Sequence, residues 1–207
     1  MKYGDEIIDL HGTNVTIARF ISRVTPAPLI NLYVGSIFAW FSPIGLGPVL
    51  APVGTLLLCI ILMVIMPITP IIYEAAKGNI DLDVSQRKSR TKFLLFSLFC
   101  YSLSFVVYTL FGCIIMSSLA AAYFTVSLGV TVVNLKSKVS VHGAGVGGPG
   151  TALILVFGIF ALPVVLIWIA VIWARVVLQQ HSMAQSIAGV LLGAFITAMT
   201  YPFVYIY

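Results

Sequence analysis

Three short polar islands interrupt an otherwise apolar chain, and their residue types are those that handle phosphate. The first is Arg87-Lys88-Ser89-Arg90-Thr91-Lys92, the second is Lys138-Val139-Ser140-Val141-His142, and the third runs from Arg175 through His181 to Gln185. Arginine offers a phosphate a planar fork of donors, and lysine a point charge. Two histidines can divide phosphoryl transfer, one attacking phosphorus as nucleophile and the other protonating the leaving oxygen. The glycine-rich run at 143–150, read as a helix start, adds backbone N–H groups and a favourable dipole end. It is not a P-loop, because no Gly-Lys-Ser/Thr closes it. Cations of this kind neutralise the equatorial oxygens themselves, so no metal and no cofactor is expected. Nor is there a carboxylate-rich cluster of the sort that holds Mg²⁺.

Each feature also has a plainer reading. The cations at 87–92 and 136–138 are ordinary loop charges at a membrane surface when taken alone. The two imidazoles can be interfacial polar residues, and the glycine run a flexible turn or a close-packing segment. Asp81 and Asp83 read as brackets of the basic loop, in surface salt bridges worth little. Arg175 is harder to dismiss, because ionisable groups at membrane depth are costly and usually face a cavity. If the segment before it crosses in one pass, however, it merely snorkels from a helix end.

The elements that position these islands follow from composition. The chain has 207 residues, 60% of them hydrophobic and only 8% charged, where a soluble domain carries about 25% charged residues. A fold of this size cannot hide that much apolar side chain from water, so the solvent is lipid. Four stretches carry no Asp, Glu, Lys or Arg: 24–73, 93–135, 143–174 and 176–207. The first two are each long enough for a pair of spans, at about 20 residues per span. The reading is a single all-α domain over 1–207, a polytopic transmembrane helix bundle preceded by an interfacial arm at 1–24, with an amphipathic helix over 4–23. Spans are expected at 28–46, 53–73, 93–110, 113–134 and 186–206, with Pro67 and Pro70 as a kink and Tyr201, Tyr205 and Tyr207 as interfacial anchors. Residues 143–174 fit either one span over 150–174 or a short hairpin turning near 158–163. Hydropathy leans to the single span and the chemistry to the hairpin, giving about six helices or seven. With the hairpin, all three islands face one side.

The net charge of +5 comes from basic residues confined to the arm and three connections. By the positive-inside rule this multi-pass protein of the cell membrane turns its polar side to the cytoplasm, and Arg19 and Arg23 say so independently of any site. Asp5, Glu6 and Asp9 stand where a signal peptide would be basic and then apolar. Cys59, Cys100 and Cys113 lie in apolar stretches with no metal or disulfide spacing and read as small buried hydrophobes. The expected partners are the bilayer and a phosphorylated lipid, not nucleic acid; a homo-oligomer is left open.

The second and third islands resemble the last two signature motifs of the type 2 phosphatidic acid phosphatase superfamily. That family shows Ser-Gly-His, then Arg, five residues, His, three residues, Asp. Here Ser140-Val141-His142 stands for the first, and Arg175 with His181 reproduces the second spacing. The stretch Ile187-Ala188-Gly189-Val190-Leu191-Leu192-Gly193 is similar to the helix that follows, so the resemblance covers 81–193. It implies a membrane enzyme that removes phosphate or diphosphate groups from a lipid through a phosphohistidine. His181 would be the nucleophile, His142 the general acid, and Arg175, Ser140 and Arg90 phosphate binders. The chain departs from the pattern at four positions. Thr91 replaces a proline, Val141 a glycine, and Asp83 a lysine whose charge Lys138 or Arg87 would supply. Gln185 replaces the aspartate that orients the nucleophile. A glutamine oxygen can fix the imidazole tautomer but cannot stabilise an imidazolium as a carboxylate does; the comparable Asp-to-Asn change in a serine-protease triad costs about 10⁴ in rate. The rival expectation is a non-catalytic binder or transporter of phosphorylated lipid.

Overall fold

The computed structural model describes residues 2–205, and the described residues are helical with no strand. After a 3₁₀ turn at Gly4–Glu6 come α1 (Thr13–Val24) and α2 (Ala27–Phe41), bent by 57° against each other. Pro26 and Pro28 account for the break: proline cannot continue α1 but suits the first turn of α2. The expected arm helix over 4–23 is therefore two pieces, with a left-handed Asp9 and Gly12 between them.

α3 (Pro52–Cys59), a π-helical stretch at Ile60–Ile65, and α4 (Met66–Ala76) form one rod of 25 residues. The distortion lies upstream of the prolines that were expected to kink it. Asn31 uses it, donating from Nδ2 to the Met63 carbonyl at 2.5 Å. α5 (Arg87–Leu110) and α6 (Ile114–Lys136) make an antiparallel pair. α5 starts six residues before the expected 93, so the first island is the opening turns of a helix, not a loop.

The next segment is a hairpin. α7 (Val141–Phe157) ends in a left-handed Gly158 and a 3₁₀ turn at Gly158–Ala161, and α8 (Val164–Val177) returns. The single span over 150–174 is thereby corrected. Gly158 has φ 61°, which only glycine adopts cheaply, and Pro163 cannot extend the incoming helix. Trp168 on α8 donates from Nε1 to the Val146 carbonyl at 2.9 Å, stitching the two arms. α9 (Met183–Val204) closes the chain, opened by a capping box between Ser182 and Gln185.

Among the described residues five helices are long and apolar enough to cross a membrane, six if the bent α1–α2 pair counts; α8 is a shorter apolar helix of 14 residues. The protein is a multi-pass helical bundle. α6, α7 and α9 hold its centre. α7 and α9 meet through glycines: a Cβ on Gly147 would strike the Val190 carbonyl, one on Gly189 the Ser140 carbonyl, and one on Gly193 would stand 2.8 Å from the Gly148 nitrogen. Close approach of this kind drives helix association in lipid, where no hydrophobic effect does. The glycine run is thus a packing seam along α7. Cys59, Cys100 and Cys113 are free and buried. Tyr201 is buried too, its ring 5.6 Å from that of Tyr205, so it is a core residue and not an interfacial anchor. Tyr207 lies outside the described residues.

Candidate functional site

The connections at 77–86, 137–140 and 178–182 lie at one end of the bundle, each separated from the next by a pair of helices. Hydrogen bonds tie them together. Arg90 donates from Nε to the Val84 carbonyl at 2.7 Å and from Nη1 to the Val139 carbonyl at 3.3 Å. The Ser140 amide donates to the Gln185 carbonyl at 3.3 Å, and the His181 amide to that of Arg175 at 3.3 Å. Ser85 Oγ donates to Gln180 Oε1 at 3.0 Å. The three polar islands therefore converge, as the hairpin reading required.

Ser140 is the N-cap of α7: its Oγ accepts the Gly143 amide at 3.1 Å. This aims the α7 N-terminus, with its positive dipole end, into the cluster. His142 sits on the first turn and hydrogen-bonds the Ser22 backbone. Arg175, 1% exposed, donates from Nη1 to Ser22 Oγ at 2.8 Å and to Asp83 Oδ1 at 3.2 Å. Ser22 thus joins the Arg175 guanidinium to the His142 imidazole, and Arg90 and Arg175 lie within electrostatic reach of both rings. The Nε of Arg175 is buried without a partner among the described residues.

His181 is 6% exposed and lies opposite Gln185, with Nδ1 and Oε1 at 3.3 Å. The same oxygen accepts the Ser182 amide at 3.2 Å, so Gln185 serves the α9 cap and the imidazole together. Burial, reinforced by Arg90, Arg175 and Lys138, pushes the His181 pKa down to about 3, which keeps the ring neutral. Burial and then the two arginines also lower the Lys138 pKa. Among the described residues Lys138 has no hydrogen-bond partner.

Two expected roles are not met. Arg87 turns away from the cluster: its Nη1 caps α6 through the Asn134 and Leu135 carbonyls, at 3.2 and 3.0 Å. The two aspartates are not weak surface brackets. The Asp83 side chain is 4% exposed and pairs with Arg175 inside the bundle. Asp81 organises its own loop, accepting the Asp83 amide and both the amide and hydroxyl of Ser85 at 3.0–3.2 Å. Neither carboxylate is bonded to His181. Sequence reasoning also missed Ser22, which nothing in its local pattern marks.

A cavity of about 220 Å³ leads from this cluster into the bundle. Of the cluster, Asp83, Arg90, Ser22 and His142 line it and His181, Arg175, Lys138 and Ser140 do not; Phe93, Leu94, Val126, Val130 and Ile68 make apolar walls, with Tyr101 and Tyr123 among them. A groove of about 460 Å³ beside the arm is bordered by residues 75–81 and holds neither imidazole nor arginine, so it has no part in this chemistry. Among the described residues no group of His, Cys, Asp and Glu could hold a metal ion. The chain matches no family model, no curated protein and no solved structure.

Proposed function

We propose that the chain is a membrane-embedded phosphatase acting on the phosphate or diphosphate of a lipid, a relative of the type 2 phosphatidic acid phosphatases. One observation carries this reading. Arg90, Arg175 and Lys138 gather with two imidazoles around the capped N-terminus of α7, and two of these groups, Arg90 and His142, line a cavity whose other walls are mostly apolar. An amphiphile with an anionic head suits that lining: the head meets the cations and one chain follows the walls.

Chemically, His181 attacks phosphorus through a ring nitrogen, the phosphorus–oxygen bond to the lipid breaks, and His142 relays to the leaving oxygen the proton that a monoanionic phosphate head brings in. Water then cleaves the phosphorus–nitrogen bond, returning free imidazole and inorganic phosphate. The neutrality of His181 at ordinary pH supports its role as attacker. Arg90, Arg175, Lys138 and the Ser140-capped helix end stabilise the charge on the equatorial oxygens. Gln185 fixes the His181 tautomer through Oε1. The polar end faces the cytoplasm, by the positive charge of the arm and connections.

Purified protein is expected to release phosphate from an isoprenoid or glycerolipid phosphate in the presence of a chelator. His181→Ala should lower that release by about 10³-fold or more. Undiminished release from the variant would reject His181 as nucleophile.

A second reading has its own support. Gln185 stands in the aspartate position and Arg175 is taken up by Asp83, which suits a protein that binds phosphorylated lipid without turning it over. Gln185→Asp separates the two: a rise in turnover marks an attenuated enzyme, whereas no turnover in either form with retained lipid-phosphate binding marks a binder.

A further inference from the structure

We propose that Asp83 is a built-in stand-in for the ligand's phosphate: its carboxylate holds the Arg175 seat at rest, pinned by the N-terminal strap, and an entering phosphate displaces it. The proposal rests on the reading above only in naming phosphate as the incoming anion.

The Asp83 carboxylate is placed as a bound anion would be. One oxygen takes the Arg175 Nη1 proton at 3.2 Å, and the other takes the Gly4 amide at 3.2 Å. Carboxylate and phosphate oxygens compete for the same guanidinium fork. Asp83 uses that fork incompletely, because Arg175 Nε is left buried and without a partner among the described residues. A phosphate, with more oxygens and more charge, can take the Nη1–Nη2 end with two oxygens or the Nε–Nη2 edge that the carboxylate leaves empty. The excess positive field of Arg90 and Lys138 also favours the more highly charged anion.

The strap at residues 2–6 holds the carboxylate in. The Leu82 amide donates to the Lys2 carbonyl at 3.0 Å, which lays the strap across the loop bearing Asp83. Gly4 has no room for a side chain: a Cβ would collide with Ser85 Oγ and stand 2.7 Å from Gln180 Oε1. The strap is anchored to α1 by Asp5 on Arg19 at 2.6 Å and by Glu6 on Arg23. Tyr3 borders the cavity beside Asp83, Arg90 and His142, so strap and carboxylate lie at the same mouth.

The loop also has a place to hinge. Val84, next to Asp83, has φ 48°, a costly conformation for a β-branched residue. Release of the Asp83–Arg175 and Gly4 contacts lets that backbone relax. The exchange breaks and makes only hydrogen bonds and an ion pair. While Asp83 holds the seat, apparent phosphate affinity falls by the fraction of molecules whose seat is free.

The test is orthovanadate binding to the full-length protein in detergent, by titration calorimetry, with lipid-phosphate turnover measured on the same samples. Asp83→Asn and Gly4→Val should each bind vanadate about tenfold tighter or more than wild type. Asp83→Glu should stay near wild type, and Arg175→Ala should lose binding. Asp83→Asn leaves a buried arginine without its counter-charge and can fail to fold. Gly4→Val keeps both charges and only lifts the strap, so it decides the matter alone if necessary. Unchanged or weaker vanadate binding in the folded variants overturns the proposal, even if wild type turns over lipid phosphate. Tighter binding in those variants sustains it, even if no form shows turnover and the phosphatase reading fails.

Discussion

Both arginines of the N-terminal arm have a carboxylate of their own, Arg19 on Asp5 and Arg23 on Glu6. Among the described residues, of the inner cations Arg90, Arg175 and Lys138 only Arg175 contacts a carboxylate, that of Asp83, since Asp81 bonds its own loop. The arm is charge-balanced and largely open to solvent at Arg23; the inner cluster is buried and over-positive. An exposed balanced pair is worth about 0–1 kcal/mol and orients a segment. Buried surplus charge is costly in itself and is kept where an anion visits. The same residue types thus fasten the arm in one place and, in the proposed function, make an anion seat in the other.

The contrast can be broken at its strongest point first. Arg175→Ala leaves Asp83 buried without a counter-charge and should lower unfolding stability by about 3–5 kcal/mol. It should also remove phosphate binding; both are readable by a thermal melt with and without vanadate. A moderate effect is expected from pH. The His181 ring has its pKa depressed to about 3 when folded, against about 6.5 unfolded. Between those values the unfolded chain binds the proton and the folded one does not. Stability is therefore full above about pH 6.5 and falls as pH drops towards 3, by up to about 1.4 kcal/mol per unit from this group. Replacing His181 by glutamine should flatten that part of a melting-temperature profile. The smallest effect belongs to the arm: Arg23→Ala should cost about 1 kcal/mol or less, with no change in vanadate binding in a chain whose Asp5–Arg19 pair still anchors the strap.

Charge-free stretches and turn signals located the helices because in lipid every backbone group must be satisfied within its own helix, so local sequence decides. The hairpin over α7 and α8 was legible as an alternative, and hydropathy could not choose it. Both α7 and α8 are apolar, and the decision lies in Gly158 with its positive φ. The convergence of His142, His181, Ser140 and Arg175 was legible from their spacing, since each sits within a few residues of a helix end that fixes it. The Asp83–Arg175 pair joins residues 92 apart, and the Ser22–Arg175 bond residues 153 apart. No local pattern encodes such pairs; they follow from how the strap, α1 and α8 stack. Arg87 was misread because its donors satisfy the exposed carbonyls at the end of α6, a need visible only once α5 and α6 are side by side. The glycines at 143–150 looked like a phosphate cradle or a packing surface, and the position of α9 decides for packing.

The central claim is that the inner cluster is a phosphoryl-transfer seat with His181 as its nucleophile. The most direct measurement is to quench wild-type protein during incubation with a lipid phosphate and look for phosphate on nitrogen by alkaline-stable, acid-labile mass spectrometry. The account expects a phosphoramidate on the peptide bearing His181, gained only with substrate and absent from His181→Ala. A phosphate on any other residue, or steady phosphate release with no modified His181 at any quench time, would contradict it.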